Sequence, residues 1–229
     1  IAGDDARLGP LPEQIGLGAQ RAAELTRQML DYSGEGKLKV ERLDLAGAVR
    51  EMAKLLAASI PKSVELHYHF QEGLPAVEVD ATQIRQVLMN LITNAAESMG
   101  DSIGRVVIAL EQRFFAQIEL DAYEHHELVS GNFVMLTVKD GGCGMSAETR
   151  RKVFDPFFTT KFQGRGLGMA AVLGIVRGHK GAIHIDSQEG VGTEVRLLLP
   201  AHETPSVAPP ASGERGTVLV VDDDQGVLT

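Results

Sequence analysis

The sequence predicts an α+β fold, a two-layer sandwich with helices on one face of a mixed sheet. Two patterns carry the prediction. Alternation of period two at residues 64–70 marks a half-buried strand, with further strands at 105–112, 133–139, 182–187 and 193–199, and helices lie between them at 82–99 and 168–179. Composition agrees, because 44% hydrophobic residues with 5% aromatics and no Trp suit an aliphatic core rather than an aromatic-rich binding module.

Taken in order, residues 11–33 place Ile15, Gly18, Ala22, Leu25, Met29 and Tyr32 at alternating steps of three and four, a heptad-like helical stripe that the Gly34 to Gly36 run would end. Such a stripe packs on a partner helix or docks on its own domain. A second helical pattern over residues 45–60 stops at Pro61. In the strand that follows, Val64, Leu66, Tyr68 and Phe70 face inward and His67 and His69 outward. That HxH pair could bind a metal, but it lacks an evident third ligand, and a solvated face explains it. From Pro200 to Gly216 the chain carries four of its nine prolines, which marks a linker. Beyond it TVLVV, residues 217–221, reads as an apolar strand running into Asp222, Asp223 and Asp224. The expected organisation is a partial helical hairpin at 1–36, a main domain at 37–200, a linker at 201–216 and the start of another domain at 217–229.

Charge and cysteine content exclude several classes. With 22 Lys and Arg against 31 Asp and Glu, net −9, a general nucleic-acid binder is not expected. A local exception is the stretch 146–165, where Arg150, Arg151, Lys152, Lys161 and Arg165 face only Glu148 and Asp155, a basic island suited to phosphates. The single Cys143 rules out an intrachain disulfide and fits a reducing cytoplasm. No run of 18 apolar residues and no signal peptide is present. The chain lacks an initiator Met and stops at VLT, so it reads as a piece of a longer protein.

Three motifs carry the chemistry. On the helix at 82–99, Ile84, Leu88, Leu91, Ile92 and Ala95 form the apolar stripe, while Gln83, Gln86, Asn90 and Glu97 lie opposite and Asn94 lies at the stripe's edge. Asn90 and Asn94 are one turn apart and can offer two neutral oxygens to a hard cation such as Mg²⁺, although an ordinary polar face looks the same. DGGCGM, 140–145, follows a strand, so Asp140 stands where the chain opens into a glycine loop. A carboxylate there can accept from an exocyclic amine, and a plain or calcium-binding turn is the alternative. GRGLGM, 164–169, leads directly into an apolar helix, which aims backbone N–H groups and the helix dipole at one point, an anion seat. Gly166 to Ala171 also fits a GxGxxA dinucleotide fingerprint, but no buried strand precedes it and no βαβ unit surrounds it. No GxxxxGK motif occurs, which excludes a P-loop.

The set NLITNA, DGGCG, DPFFTTK and GRGLG, closed by GVGTEVRLLLP, resembles the N, G1, F and G2 boxes of the sensor histidine kinases, in the ATPase superfamily with the Bergerat fold. The resemblance covers roughly residues 60–200. It implies ATP and Mg²⁺ as ligands: Asn94 and Asn90 would hold the metal, Asp140 would read the adenine amine, and Gly142 and Gly144 would line the base, with help from Thr193. Gly164, Gly166, Leu167 and Gly168 would wrap the triphosphate. Residues 154–166 would form a mobile lid with Phe157 and Phe158 as its apolar latch and Lys161 reaching a phosphate. Residues 19–33 resemble the second helix of the dimerisation and histidine-phosphotransfer hairpin, and TVLVVDDDQ resembles the opening of a receiver domain, whose Mg²⁺ ligands would be Asp222 and Asp223. The parent would be a hybrid kinase, a homodimer that passes phosphate through its own hairpin and receiver or to a response regulator. It would be cytoplasmic, or the cytoplasmic part of a membrane-anchored bacterial sensor.

The same resemblance places the phosphoacceptor histidine upstream of residue 1, and no His precedes His67. His125 and His126 lie in a polar stretch between strands and are poor acceptors. The chain is therefore expected to bind ATP without phosphorylating itself. Hydrolases of the superfamily carry a glutamate one turn before the key asparagine, where this chain has Asn90, and an amide cannot serve as general base. A nucleotide-gated interaction module is the remaining alternative.

Overall fold

The computed structural model describes residues 38–100, 102–125, 128–161 and 166–202. The helix expected at 11–33, Gly164, His126, the linker from residue 203 and the strand with Asp222 and Asp223 lie outside these residues. The strands are β1 (Glu41–Leu43), β2 (Val64–Phe70), β3 (Val77–Val79), β4 (Gly104–Phe115), β5 (Glu124–His125), β6 (Gly131–Asp140), β7 (Ala182–Gln188) and β8 (Gly192–Pro200). The helices are α1 (Leu45–Leu56), α2 (Ala81–Ser98), α3 (Gln117–Leu120), α4 (Ala147–Lys152) and α5 (Gly168–Gly178).

Six strands form one mixed sheet in the order β2-β4-β6-β8-β7-β5, with β2 parallel to β4 and every other pairing antiparallel. Strand alternation divides its side chains between two faces. Val106, Ile108 and Leu110 of β4, Val134, Leu136 and Val138 of β6, and Val195, Leu197 and Leu199 of β8 pack in the main core. That core also holds Val49 and Met52 of α1, Ile84, Leu88 and Ile92 of α2, and Val172, Ile175 and Val176 of α5. The stripe read from the sequence on α2 is the buried one, extended by Ala81, Val87 and Ala96.

The other face of the sheet is covered too. Phe115, Phe133, Met135, Ala182 and Leu198 point that way and meet Leu120 and Leu128 from the excursion between β4 and β6. The Phe115 ring stands edge-on to Tyr123 and Phe133, with centroids 5.8 and 6.0 Å away, a favoured aromatic geometry. This smaller layer was not read from the sequence, because a helix of four residues and a strand of two are too short to show a period.

Two local expectations are corrected. The helix read to residue 60 ends at Leu56, where the amides of Ser59 and Ile60 turn back onto the Leu56 carbonyl. Tyr68, read as inward, is 41% exposed on the edge strand β2, although Leu66 and Phe70 on either side of it pack against the main core.

A junction at residue 80 positions α2. β1 pairs with β3, and Asp80 follows as the α2 N-cap, its Oδ1 accepting from the Thr82 and Gln83 amides at 2.9 and 3.2 Å and its Oδ2 from the Lys39 amide at 3.0 Å. The Asp80 amide donates to His179 Nε2 at 2.8 Å, and His179 Nδ1–H donates to the Ile175 carbonyl at 2.8 Å, so the buried imidazole pins the end of α5 to the start of α2. Burial alone would raise the Asp80 carboxyl, but the three backbone donors and the nearby imidazole outweigh it and hold it below the ordinary carboxylate value.

Candidate functional site

Register places the base of the site. β6 ends at Asp140, which lies opposite Val106 of β4 and Thr193 of β8. The carboxylate is only 7% exposed, and its Oδ1 accepts from Ser98 Oγ at 2.8 Å, the Gly142 amide at 2.9 Å and the Thr193 amide at 3.3 Å. These three donors come from the end of α2, the glycine loop and β8. They fix the carboxylate's rotamer and gather its contacts among the described residues on one oxygen.

Thr193 is oriented in turn by a residue outside every sequence motif. Ser187 Oγ accepts from the Met145 amide at 2.9 Å and lies 3.0 Å from the Gly192 carbonyl and 2.9 Å from Thr193 Oγ1. Its single proton is needed by the Gly192 carbonyl, so Thr193 must donate to Ser187, which leaves lone pairs on the threonine hydroxyl. Sequence reading missed Ser187 and Ser98. Each is a lone hydroxyl without a pattern, visible only once α2, β6, β7 and β8 are brought together.

Two glycines of the first box are bare for packing. A Cβ on Gly142 would lie 2.1 Å from Ser98 Oγ and 2.5 Å from the Ser98 carbonyl oxygen, and one on Gly144, at φ +63°, would lie 1.9 Å from the Gln188 carbonyl. The loop is tied down by the Cys143 amide on the Ser98 carbonyl at 3.0 Å and by the Gly190 amide on the Cys143 carbonyl at 2.7 Å.

At the other end stand Asn90, Asn94 and the second glycine box. Leu167 is the buried N-cap of α5 and makes no side-chain cap, and among the described residues no side chain meets the first amides of the helix. That arrangement suits a phosphate. Asn90 Nδ2 donates to the Gly168 carbonyl at 3.4 Å, bringing the helix of the first motif against the second glycine box. Asn94 Oδ1 accepts from Lys161 Nζ at 2.8 Å, and the same ammonium pairs with Glu97. Asn94 therefore already holds a cation, and the two asparagines engage different partners. Lys161, expected at a phosphate, stands on the expected metal ligand.

Between the boxes, Phe154 packs on the main core, while Phe157 is 58% exposed and holds a left-handed backbone at φ +68°. Gly166, at φ +70°, lies so close that an added Cβ would be 2.3 Å from the Phe157 carbonyl carbon. The two ends of this segment thus touch. Phe158 is part-buried, and its amide donates to the Asp155 carbonyl at 3.1 Å. Arg150, Arg151 and Lys152 occupy the last turn of α4, begun by Ser146, whose Oγ accepts from the Thr149 amide at 3.2 Å. On β2, His67 Nε2 lies 3.2 Å from Glu65, and among the described residues no group of three metal-ligating side chains forms. A depression lined by Leu38, Glu78, His179, Lys180 and His202 contains none of these site residues.

Comparison with known proteins agrees with this geometry. The profile of the Histidine kinase-, DNA gyrase B-, and HSP90-like ATPase family matches residues 79–203. Sensor kinase CckA of Brucella abortus (strain 2308) is 34% identical over 91% of this chain, which spans 24% of that protein's length. The catalytic domain of the histidine kinase ThkA is 28% identical, with a TM-score of 0.57 over 71% of this chain and 96% of that one. Full-length ShkA in complex with AMPPNP shares the fold at 21% identity, with a TM-score of 0.64 over 87% of this chain and 40% of that one. With Asp140, the glycine loops and the α2 asparagines in one arrangement, the chain belongs to the Histidine kinase-, DNA gyrase B-, and HSP90-like ATPases and carries the ATP-binding catalytic domain of a sensor histidine kinase.

Proposed function

We propose that this chain binds ATP with Mg²⁺ between α2, the two glycine boxes and β8, and presents the γ-phosphate to a histidine supplied by a dimerisation hairpin. The observation that carries the reading is Asp140, a buried carboxylate whose loop and strand donors converge on one oxygen. Its second oxygen then accepts the adenine amine. Thr193 adds an acceptor beside it, and the uncapped start of α5 receives the phosphates.

Asn94 fits a Mg²⁺ ion, since its amide oxygen is a neutral hard donor that accepts from a cationic group, the Lys161 ammonium. Held at Asn94, the metal would supply positive charge to offset that of the phosphates. This chain's own residues hold, orient and shield the nucleotide. The phosphoacceptor, a homodimer, the receiver with Asp222 and Asp223, and a response regulator as final acceptor belong to the same proposal. Phosphoryl transfer is favoured over hydrolysis because Asn90, the residue one turn before Asn94, donates to Gly168 and offers no base to activate water.

Calorimetric titration with a non-hydrolysable ATP analogue, with and without Mg²⁺, tests the reading. Wild-type chain should bind in a Mg²⁺-dependent manner, and Asn94→Ala should lose that dependence. Binding of equal strength in the variant with Mg²⁺ would remove Asn94 from the metal site.

A further inference from the structure

The Lys161 ammonium is bonded to two acceptors that belong to α2. Asn94 Oδ1 accepts from it at 2.8 Å, and Glu97, three residues further along the helix, pairs with it. Glu97 is about half exposed and, among the described residues, its side chain bonds within the site to Lys161 alone, so its effect there runs through Lys161. The acceptor that the proposed function gives to Mg²⁺ is thus occupied by a cation carried on the protein.

We infer that Glu97 is a positioning residue that holds Lys161 as a tethered competitor of Mg²⁺ at Asn94, an inference that rests on the nucleotide reading above. Metal and ammonium both seek the same amide oxygen, and the metal must displace the ammonium. Displacement need not send Lys161 far. While paired to Glu97 it stays within one helical turn of Asn94, where the terminal phosphate of a bound triphosphate would compete with Glu97 for it. The ion pair therefore makes nucleotide binding demand more Mg²⁺, and a third phosphate offsets part of that demand. A diphosphate cannot.

The test uses the full chain and reads the Mg²⁺ concentration at half-maximal binding of ADP and of a non-hydrolysable ATP analogue. For an exposed pair the change should be about two- to five-fold. Glu97→Gln should lower the Mg²⁺ midpoint by that factor with ADP, and by less with the ATP analogue, whose third phosphate already offsets part of the demand. Lys161→Met should lower it with ADP alone, since the variant also loses the charge that meets the third phosphate. In the Lys161→Met background, Glu97→Gln should add nothing. Raising NaCl to about 1 M should shrink the wild-type-to-variant difference, because an exposed pair is screened. A role for Glu97 in folding alone would lower melting temperature and leave the midpoint unmoved, which overturns the inference. A raised midpoint in Glu97→Gln would make Glu97 a metal ligand instead, and an effect persisting without Lys161 would make it a simple field effect. Either outcome overturns it as well. Failure of the wild-type chain to bind either nucleotide would overturn the nucleotide reading itself.

Discussion

At the scale of the residue, Asp140 shows what one substitution can separate. Replacement by Asn keeps an oxygen where the Ser98, Gly142 and Thr193 donors converge, and places an NH₂ group where the second carboxylate oxygen stood. The loop should therefore keep its conformation, while a donor faces the adenine amine. The expected loss is about 1–3 kcal/mol, roughly 5- to 150-fold in ATP affinity. Melting temperature should change little. Unaltered affinity with an intact fold would remove Asp140 from adenine recognition. The place of this aspartate, after a strand and before glycines, was legible in the sequence. Its orientation was not, since that depends on Ser98 and Thr193, distant in sequence and joined only through register.

Among elements, α2 carries both asparagines and depends on its cap. Asp80→Ala removes a carboxylate that accepts from three backbone amides, and should cost about 1–2 kcal/mol in denaturant unfolding. The pH dependence has a definite sign. The Asp80 carboxyl is held below its unfolded value in the folded chain, so its contribution is full above that unfolded value and fades as pH falls through the folded one. Glu194 behaves alike, its carboxyl lowered by Lys139 and Arg196 against the opposing effect of burial. Wild-type stability should fall with acidification below about pH 4, and Asp80→Ala should lose less over that interval. An identical acid slope in both proteins would deny the carboxylate this role. The α2 and α5 helices were readable because their apolar periods run for several turns. β1, β3, α3, α4 and β5 were not, each having six residues or fewer.

For the molecule as a whole, the sheet separates the site from a second source of stability. Phe115, Leu120 and Phe133 lie on the face away from α1, α2 and α5. Leu120→Ala should cost about 2–5 kcal/mol in unfolding free energy while leaving ATP affinity of the folded fraction unchanged. A matching loss of affinity would mean that the two faces are coupled. The two-layer architecture could be predicted because strand alternation marks an inward side. The covered reverse face could not, since its apolar residues occupy positions that an alternating pattern assigns to solvent.

The contrast between the two ends of the nucleotide site has a thermodynamic meaning. Asp140 ends a strand with neighbours on both edges and apolar cover on both faces, and its carboxylate is fixed by three donors. Little conformational freedom remains there to be lost when a base arrives, so most of that contact's intrinsic strength survives as affinity. Lys161 and Phe157 stand exposed on an irregular segment and must be ordered or rearranged at some entropic cost. On the proposed reading, base recognition is thus prepaid in the folded chain, while the phosphate end draws on the free energy of binding itself.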